Sequence, residues 1–485
     1  MNILSNLEPQ NVWQYFEQIT QVPRPSKKEE KIMTFLLEFA KKHNLEARRD
    51  RIGNVLIVKP ASPGMENVKS VLLQSHMDMV CEANRDIKID FDNDPITPVI
   101  EGEWVAAKGT TLGADDGIGM AAEMAILTDN SLQHGPLECL FTVDEETGLT
   151  GAFEIQPGFF ESKILLNLDS EDEGEIFIGC AGGIDAVATF DFKNEPVPSN
   201  HSAFKITVNG LKGGHSGDEI HKGYGNSNKM ANRFLFLFTE KYDIRLANFD
   251  GGNKRNAIPR EAEFVFSIEK DKISQMQKDF EILKKNIINE IELTEPNINI
   301  IIEAVSNPET VIDKQTQKSL CFALYACPHG VHAWSPAIPG FVETSTNLAS
   351  VKFDKNNITV VTSQRSSVES GKQDINFMVR SVFELAGAKV ESGDGYPGWA
   401  PNPKSEILTI AEKSYERLFG KKPVVRAIHA GLECGLFLEK YPDLDMISFG
   451  PTLRGVHAPG EKVEIKTVKM WYDHLIDVLK NIPQK

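Results

Sequence analysis

Nowhere in the 485 residues does an uninterrupted apolar run approach the roughly 20 needed to cross a bilayer. The N-terminus, MNILSNLEPQNVWQYFEQ, lacks the basic stretch and apolar core of a secretory leader. Positive charge is scarce: 52 Lys and Arg stand against 69 Asp and Glu, a net charge of −17. That balance argues against a nucleic-acid or anionic-membrane partner. Cysteine is sparse too. Cys81, Cys139, Cys180, Cys321, Cys327 and Cys434 are scattered without paired spacing and form no CxxC. A disulfide framework and a thiolate zinc site are therefore not expected, and the six read as buried, apolar-like side chains. Internal repeats and low-complexity tracts are absent as well. These absences together predict a cytoplasmic protein.

What is present is ordinary for a globular chain, with 41% hydrophobic and 25% charged residues. The length exceeds what one core supports, so two domains are expected. In the first third, strand-like segments (NVLIV, VKSVLLQSHMDMV, LECLFTV, ILLNLDS) alternate with helical ones (Glu29–His43, GADDGIGMAAEMAIL). Such alternation predicts an α/β domain with a mostly parallel sheet flanked by helices. Near Val187 the texture changes to strands alternating apolar and polar residues, AVATFDF, FKITVNG, EFVFSIEK, INIIIEAV and ITVVTSQRS. Two helical patterns, Asp271–Glu292 and Gln373–Leu385, lie among them. After YPGWAPNP the α/β texture returns. The expected organisation is a catalytic α/β domain, 1–186 and 397–485, interrupted by an inserted α+β domain, 187–396.

The apolar run LECLFT leads straight into Asp144, Glu145 and Glu146. Three adjacent acids repel one another, so either they face water or a cation waits for them. Other strands of this domain end in similar residues. VLLQSHMDM finishes in His76 and Asp78, two positions apart and thus on one strand face, and ILLNLD finishes in Asp169. In a parallel sheet those ends line one edge, the edge where open α/β sheets bind ligands. Asp115, in GADDG, lies at a helix start that favours negative charge. His457, in GPTLRGVHAPGE, adds a second imidazole. Histidines among carboxylates suit zinc, manganese or cobalt better than magnesium, and a two-metal centre needs a bridging carboxylate with terminal ligands on each side.

QSHMDMV, GTTLGADDGIGMA, TVDEETG, NLDSEDEGEIFIGCAGG, GLKGGHSGDEIHKG, RNAIPREA, HAGLECGLF and GPTLRGVHAPGE resemble, in order and spacing, the aminoacyl-histidine dipeptidases. These form a branch of the dizinc aminoacylase/carboxypeptidase family, and the likeness runs nearly end to end. The resemblance implies a zinc-peptidase-like fold and hydrolysis of dipeptides, preferentially Xaa-His dipeptides including β-alanyl-histidine. It implies two Zn2+ per subunit, with Mn2+ or Co2+ as substitutes. His76 and Asp169 would be terminal ligands of one zinc, Glu146 and His457 of the other, and Asp115 would bridge. Asp78 would orient His76, and Glu145 would be the general base. Asp144 would then be a solvated neighbour. Ala458 departs from the Ser that relatives often carry after this histidine, which leaves the surroundings of His457 open.

The counterpart of His215 in relatives reaches a partner subunit's active site, implying a homodimer built through the inserted domain as lid and dimer surface. A dipeptide also carries a free carboxylate near the scissile bond. Arg365 in TSQRSS suits its bidentate capture, and Asn256 in RNAIP adds a donor. Glu433 and Glu343 are candidates to meet an amine or imidazole. HxxH at His329 and His332 lies without nearby acids and is set aside as a metal site. A related hydrolase of N-acyl amino acids or tripeptides, or a non-catalytic binding protein on the same fold, are the alternative readings.

Overall fold

The computed structural model describes residues 3–485, which fall into two compact units. One comprises 3–180, 399–427 and 432–485; the other comprises 181–398 and 428–431.

The first unit is built on an eight-stranded sheet. Four strands matter for the site: β1 (Val71–His76), β2 (Leu137–Thr142), β3 (Ile164–Asn167) and β4 (Asp445–Ser448). They lie in the order β2-β1-β3-β4 and run parallel, with Val71 opposite both Leu137 and Ile164, and Ile164 opposite Asp445. Every residue of β1, β2 and β3 is buried, as parallel strands covered on both sides must be. Beyond this centre the sheet turns antiparallel. Glu46–Arg49 and Val55–Lys59, joined by a loop too short for a crossover, pair antiparallel, and Val55–Lys59 pairs antiparallel with β2. On the far side β4 pairs antiparallel with Glu175–Cys180.

Helix α1 (Ala114–Thr128) packs against β1, and helix Gln10–Thr20 packs on α1. Nearly every α1 residue is buried, in keeping with a sequence that is apolar or small on all sides. A small antiparallel sheet of Pro98–Glu101, Trp104–Ala107, Leu453–Arg454 and Lys462–Glu464 was not foreseen; its strands of two to four residues are too short to show a period.

The second unit holds a nine-stranded antiparallel sheet and the helices Ser227–Tyr242, Ile273–Ile291, Lys314–Ala326 and Glu369–Leu385. Its first strand, Gly182–Asp191, starts before the change of texture near Val187 because its opening residues are glycines and carry no alternation. The core is rich in phenylalanine, with Phe204, Phe234, Phe238, Phe264, Phe266 and Phe280 packed together. All six cysteines are free, and five are buried. Among the described residues no helix is long and apolar enough to cross a membrane.

Candidate active site

The carboxyl ends of β1, β2 and β3 deliver the first-unit candidates to one place. His76 is the last residue of β1, Asp169 follows β3 by two residues, and β2 leads through Val143 to a one-turn helix, Glu145–Gly148. Asp115 sits at the start of α1 with non-helical backbone angles, after Gly113 at φ +70°; the peptide joining Asp115 to Asp116 is cis. His457 occupies the hairpin between Leu453–Arg454 and Lys462–Glu464.

Asp115 is the hinge of the arrangement. Its Oδ1 lies 3.0 Å from Nε2 of His76, and its Oδ2 lies 3.1 Å from Nε2 of His457. His76 Nε2 is also 3.3 Å from Asp169 Oδ1, while His457 Nε2 is 2.9 Å from Glu146 Oε2. One carboxylate is thus shared between two groups, His76–Asp115–Asp169 and Asp115–Glu146–His457, whose donor atoms lie within 4.8 Å of one another. Glu145 joins His76 and Glu146 in a third such group.

The charges call for cations. Burial opposes a proton on His76, yet Asp169, Asp115 and Asp78 raise its pKa well above the ordinary imidazole value. Hydrogen bonds with Asp115 and Glu146, working against burial, push His457 up to about 11. Burial first, then neighbouring carboxylates, push Asp169 and Glu145 upward. The acids outnumber the imidazoles, and Glu146 Oε1 is buried without a hydrogen-bond partner. Two nitrogen donors and three carboxylates, one of them shared, fit a pair of divalent metal ions.

A fourth group of acids, Glu29, Asp78 and Asp144, is satisfied by the chain itself. Asp78 Oδ1 accepts the backbone N–H of Glu145 at 3.0 Å, and Oδ2 that of Glu146 at 3.3 Å, while Oδ1 lies 3.5 Å from His76 Nδ1. Glu29 accepts the Asp144 N–H at 3.0 Å. Asp144 is buried, in the left-handed region at φ 51°, and accepts the hydroxyls of Thr147 and Thr150. The expectation of a solvated Asp144 is therefore wrong: it is buried against the hydroxyls of the turn that carries Glu145 and Glu146. Glu433, expected to meet substrate, lies buried at a helix start and accepts from Gln74 (2.6 Å) and Thr142 (2.8 Å), with Oε1 left unpartnered. Burial lifts its pKa to about 7.

The remaining candidates belong to the second unit. His215 sits in a two-residue strand paired with Ala257–Ile258. Its Nδ1 lies 3.3 Å from the backbone nitrogen of Gly217, 3.2 Å from that of Asp218 and 3.4 Å from Asp218 Oδ2. His215 and Asn256 line the same open cavity of about 890 Å3, and Asn256 is exposed. Arg365 is the next-to-last residue of the strand Asn357–Ser366, is 7% exposed and donates to the Tyr396 hydroxyl at 3.0 Å. Its strand partner is Ser345, so Glu343, two residues along, shares its face. His429 was missed, although HAGLECG contains it. Its Nε2 is 2.7 Å from Ser345 Oγ, and burial, reinforced by Arg365, lowers its pKa to about 3. His329 Nδ1 meets Asn226 Nδ2 at 3.2 Å and the Leu348 N–H at 3.4 Å, an internal brace away from any acid group.

Residues 72–481 match the model of peptidase family M20/M25/M40, and the chain belongs to that family. It is 44% identical to the cytosol non-specific dipeptidase of Escherichia coli (strain K12), over the full length of both. Among solved structures it is similar to the aminoacylhistidine dipeptidase of Vibrio alginolyticus, with 46% identity, a TM-score of 0.95 and coverage of 99% of this chain and 98% of that one. The aminopeptidase PepT of Bacillus cereus shares the fold at 15% identity and a TM-score of 0.58, over 98% of this chain and 99% of that one.

Proposed function

We propose that the protein is a cytoplasmic metallodipeptidase that hydrolyses dipeptides, Xaa-His dipeptides such as β-alanyl-histidine among them. The observation that carries this reading is the division of Asp115 between two histidine–carboxylate groups beside Glu145. His76, Asp169 and Asp115 would hold one zinc ion, and Asp115, Glu146 and His457 the other, with manganese or cobalt as substitutes. Such a pair, when bound, lowers the pKa of water toward neutrality and polarises the scissile carbonyl. Glu145 takes the proton from the attacking water and passes it to the leaving amine, a task suited to a carboxyl whose pKa is raised by burial and by Asp169, Glu433 and Glu146. Asp78 orients His76 and, through two backbone N–H groups, fixes the turn that presents Glu145. Arg365 receives the terminal carboxylate of the dipeptide, with Asn256 as a further donor and Glu343 available to an amine or imidazole. The subunits pair through the second unit as a homodimer, and His215 serves the partner's site. The full-length likeness to two dipeptidases supports the substrate class.

Replacing Glu145 by Ala should leave both metals bound and lower kcat by about 10²–10⁴-fold on β-alanyl-histidine. Metal analysis beside steady-state rates checks this, and loss of metal would reassign the residue. A substrate panel of dipeptides, tripeptides and N-acetyl amino acids separates a dipeptidase from its sister hydrolases. Mixing His215→Ala with Glu145→Ala subunits should restore part of the activity if catalysis crosses the dimer.

A further inference from the structure

Glu461 lies four residues after His457 and is 2% exposed. Among the described residues no cationic side chain pairs directly with its carboxylate, although the Arg24 guanidinium acts on it electrostatically, and backbone occupies it instead. Oε2 accepts the N–H groups of Leu112 (2.8 Å) and Gly113 (3.0 Å), and Oε1 those of Ala114 (2.6 Å) and Asp115 (3.2 Å). Four consecutive amides converge on one side chain. They belong to the turn that opens α1, where backbone N–H groups have no partners within the helix and where negative charge is favoured. A buried carboxylate needs such donors to be tolerated, and the loop needs such an acceptor.

A guanidinium does the complementary work. Arg24, 2% exposed, donates through one terminal nitrogen to the carbonyls of Met77 (3.1 Å) and Asp78 (2.6 Å), and through the other to that of Gly113. Three segments are thereby tied together: the end of β1 with His76 and Asp78, the turn with Asp115, and the hairpin with His457. All of these ties run through backbone atoms, so the side chains of the proposed ligands remain free to bind.

We propose that Glu461 is a positioning residue that sets Asp115 between His76 and His457 before any metal binds, so that uptake of the two ions is coupled through the loop it holds. Arg24 anchors the same loop to the strand carrying His76. The inference rests on Asp115 being the shared ligand. Glu461→Gln keeps the size of the side chain but offers one oxygen where two served four amides, and it turns a donor toward the other two. The loop then loses its fixed relation to the hairpin, and the bridging ligand loses its register.

The test is titration of metal-free protein with Zn2+ alone against a competing chelator, with far-ultraviolet circular dichroism to check folding. Wild type should take up two ions; failure to do so would overturn the metal reading itself and not this inference. Glu461→Gln should bind the second ion at least tenfold more weakly, with a loss of kcat larger than any change in KM. Two equivalents bound with wild-type affinity would overturn the proposal. Should the variant fail to fold, hydrogen exchange on metal-free wild type decides. Slow exchange at the amides of 112–115 supports a loop held by Glu461 without metal, and exchange at the rate of an open loop refutes it.

Discussion

The carboxylate of Asp78 accepts the backbone N–H groups of both Glu145 and Glu146 and lies 3.5 Å from Nδ1 of His76. One side chain thus supports the imidazole and the carboxylate proposed to bind metal and the carboxylate proposed as base. Asp78→Asn replaces one acceptor oxygen by a donor, so at least one of these ties becomes repulsive. Metal affinity or kcat/KM should fall about 10–100-fold while the global fold persists, as read by chelator competition and steady-state kinetics. An Asn variant with wild-type zinc affinity and rate would show that the strand alone fixes His76. At this scale His76, Asp115, Glu146 and Asp169 stood out as candidates because strand ends and a helix start carry unusual side chains, and His457 because it lies in a Gly/Pro-rich loop; the fold brings them together. Asp144 was not, because an acid beside two others looks hydrated, and only the hydroxyls of Thr147 and Thr150, reached through a left-handed turn, show otherwise. Glu461 stood in a motif that drew attention for its histidine. Nothing in one sequence says that a glutamate will spend its oxygens on four amides 346 to 349 residues away.

Elements were read most surely where the period was long. The charged helical pattern at 271–292 forms as Ile273–Ile291, and Gln373–Leu385 forms with one extra turn at its start, Glu369–Leu385. The parallel centre of the first sheet followed from continuous apolar runs, whereas its antiparallel edges depend on connection lengths that the apolar pattern does not encode. Close approaches between elements are likewise hidden. Gly450, just past β4, lies so near the segment after β3 that a Cβ there would sit 1.6 Å from the carbonyl oxygen of Ser170. The obstacle is backbone, which cannot rotate away, and Ser170 adjoins Asp169. Gly450→Ala should therefore cost about 2 kcal/mol or more and weaken metal retention with it. Urea unfolding and zinc content of the purified variant measure both; an unchanged midpoint would mean that the two loops separate freely.

On the scale of the whole molecule, each unit holds a histidine whose surroundings disfavour its charged form, His474 buried and His329 half-buried. His474 in the first unit lies between the rings of Tyr415 and Phe449, donates through Nε2 to the Ala411 carbonyl at 2.9 Å, and is lowered to about 4 by burial. His329 in the second unit is also lowered to about 4 by burial, with Lys229 adding to the effect. An unfolded histidine titrates near 6.5, so between roughly pH 6.5 and 4 the unfolded chain holds more protons than the folded one. The stability these residues confer is thus complete above that window and is lost as the pH falls through it. The carboxylates of the metal site titrate over part of the same range, so the histidine contribution must be isolated by difference. His474→Gln keeps a donor for Ala411 and removes the titration. In metal-free protein, wild type should lose about 2 kcal/mol more than this variant between pH 7 and pH 5, by denaturant unfolding at each pH. Equal losses in the two proteins would mean that His474 finds solvent or a counter-charge on protonation, and that acid sensitivity comes from elsewhere in the fold.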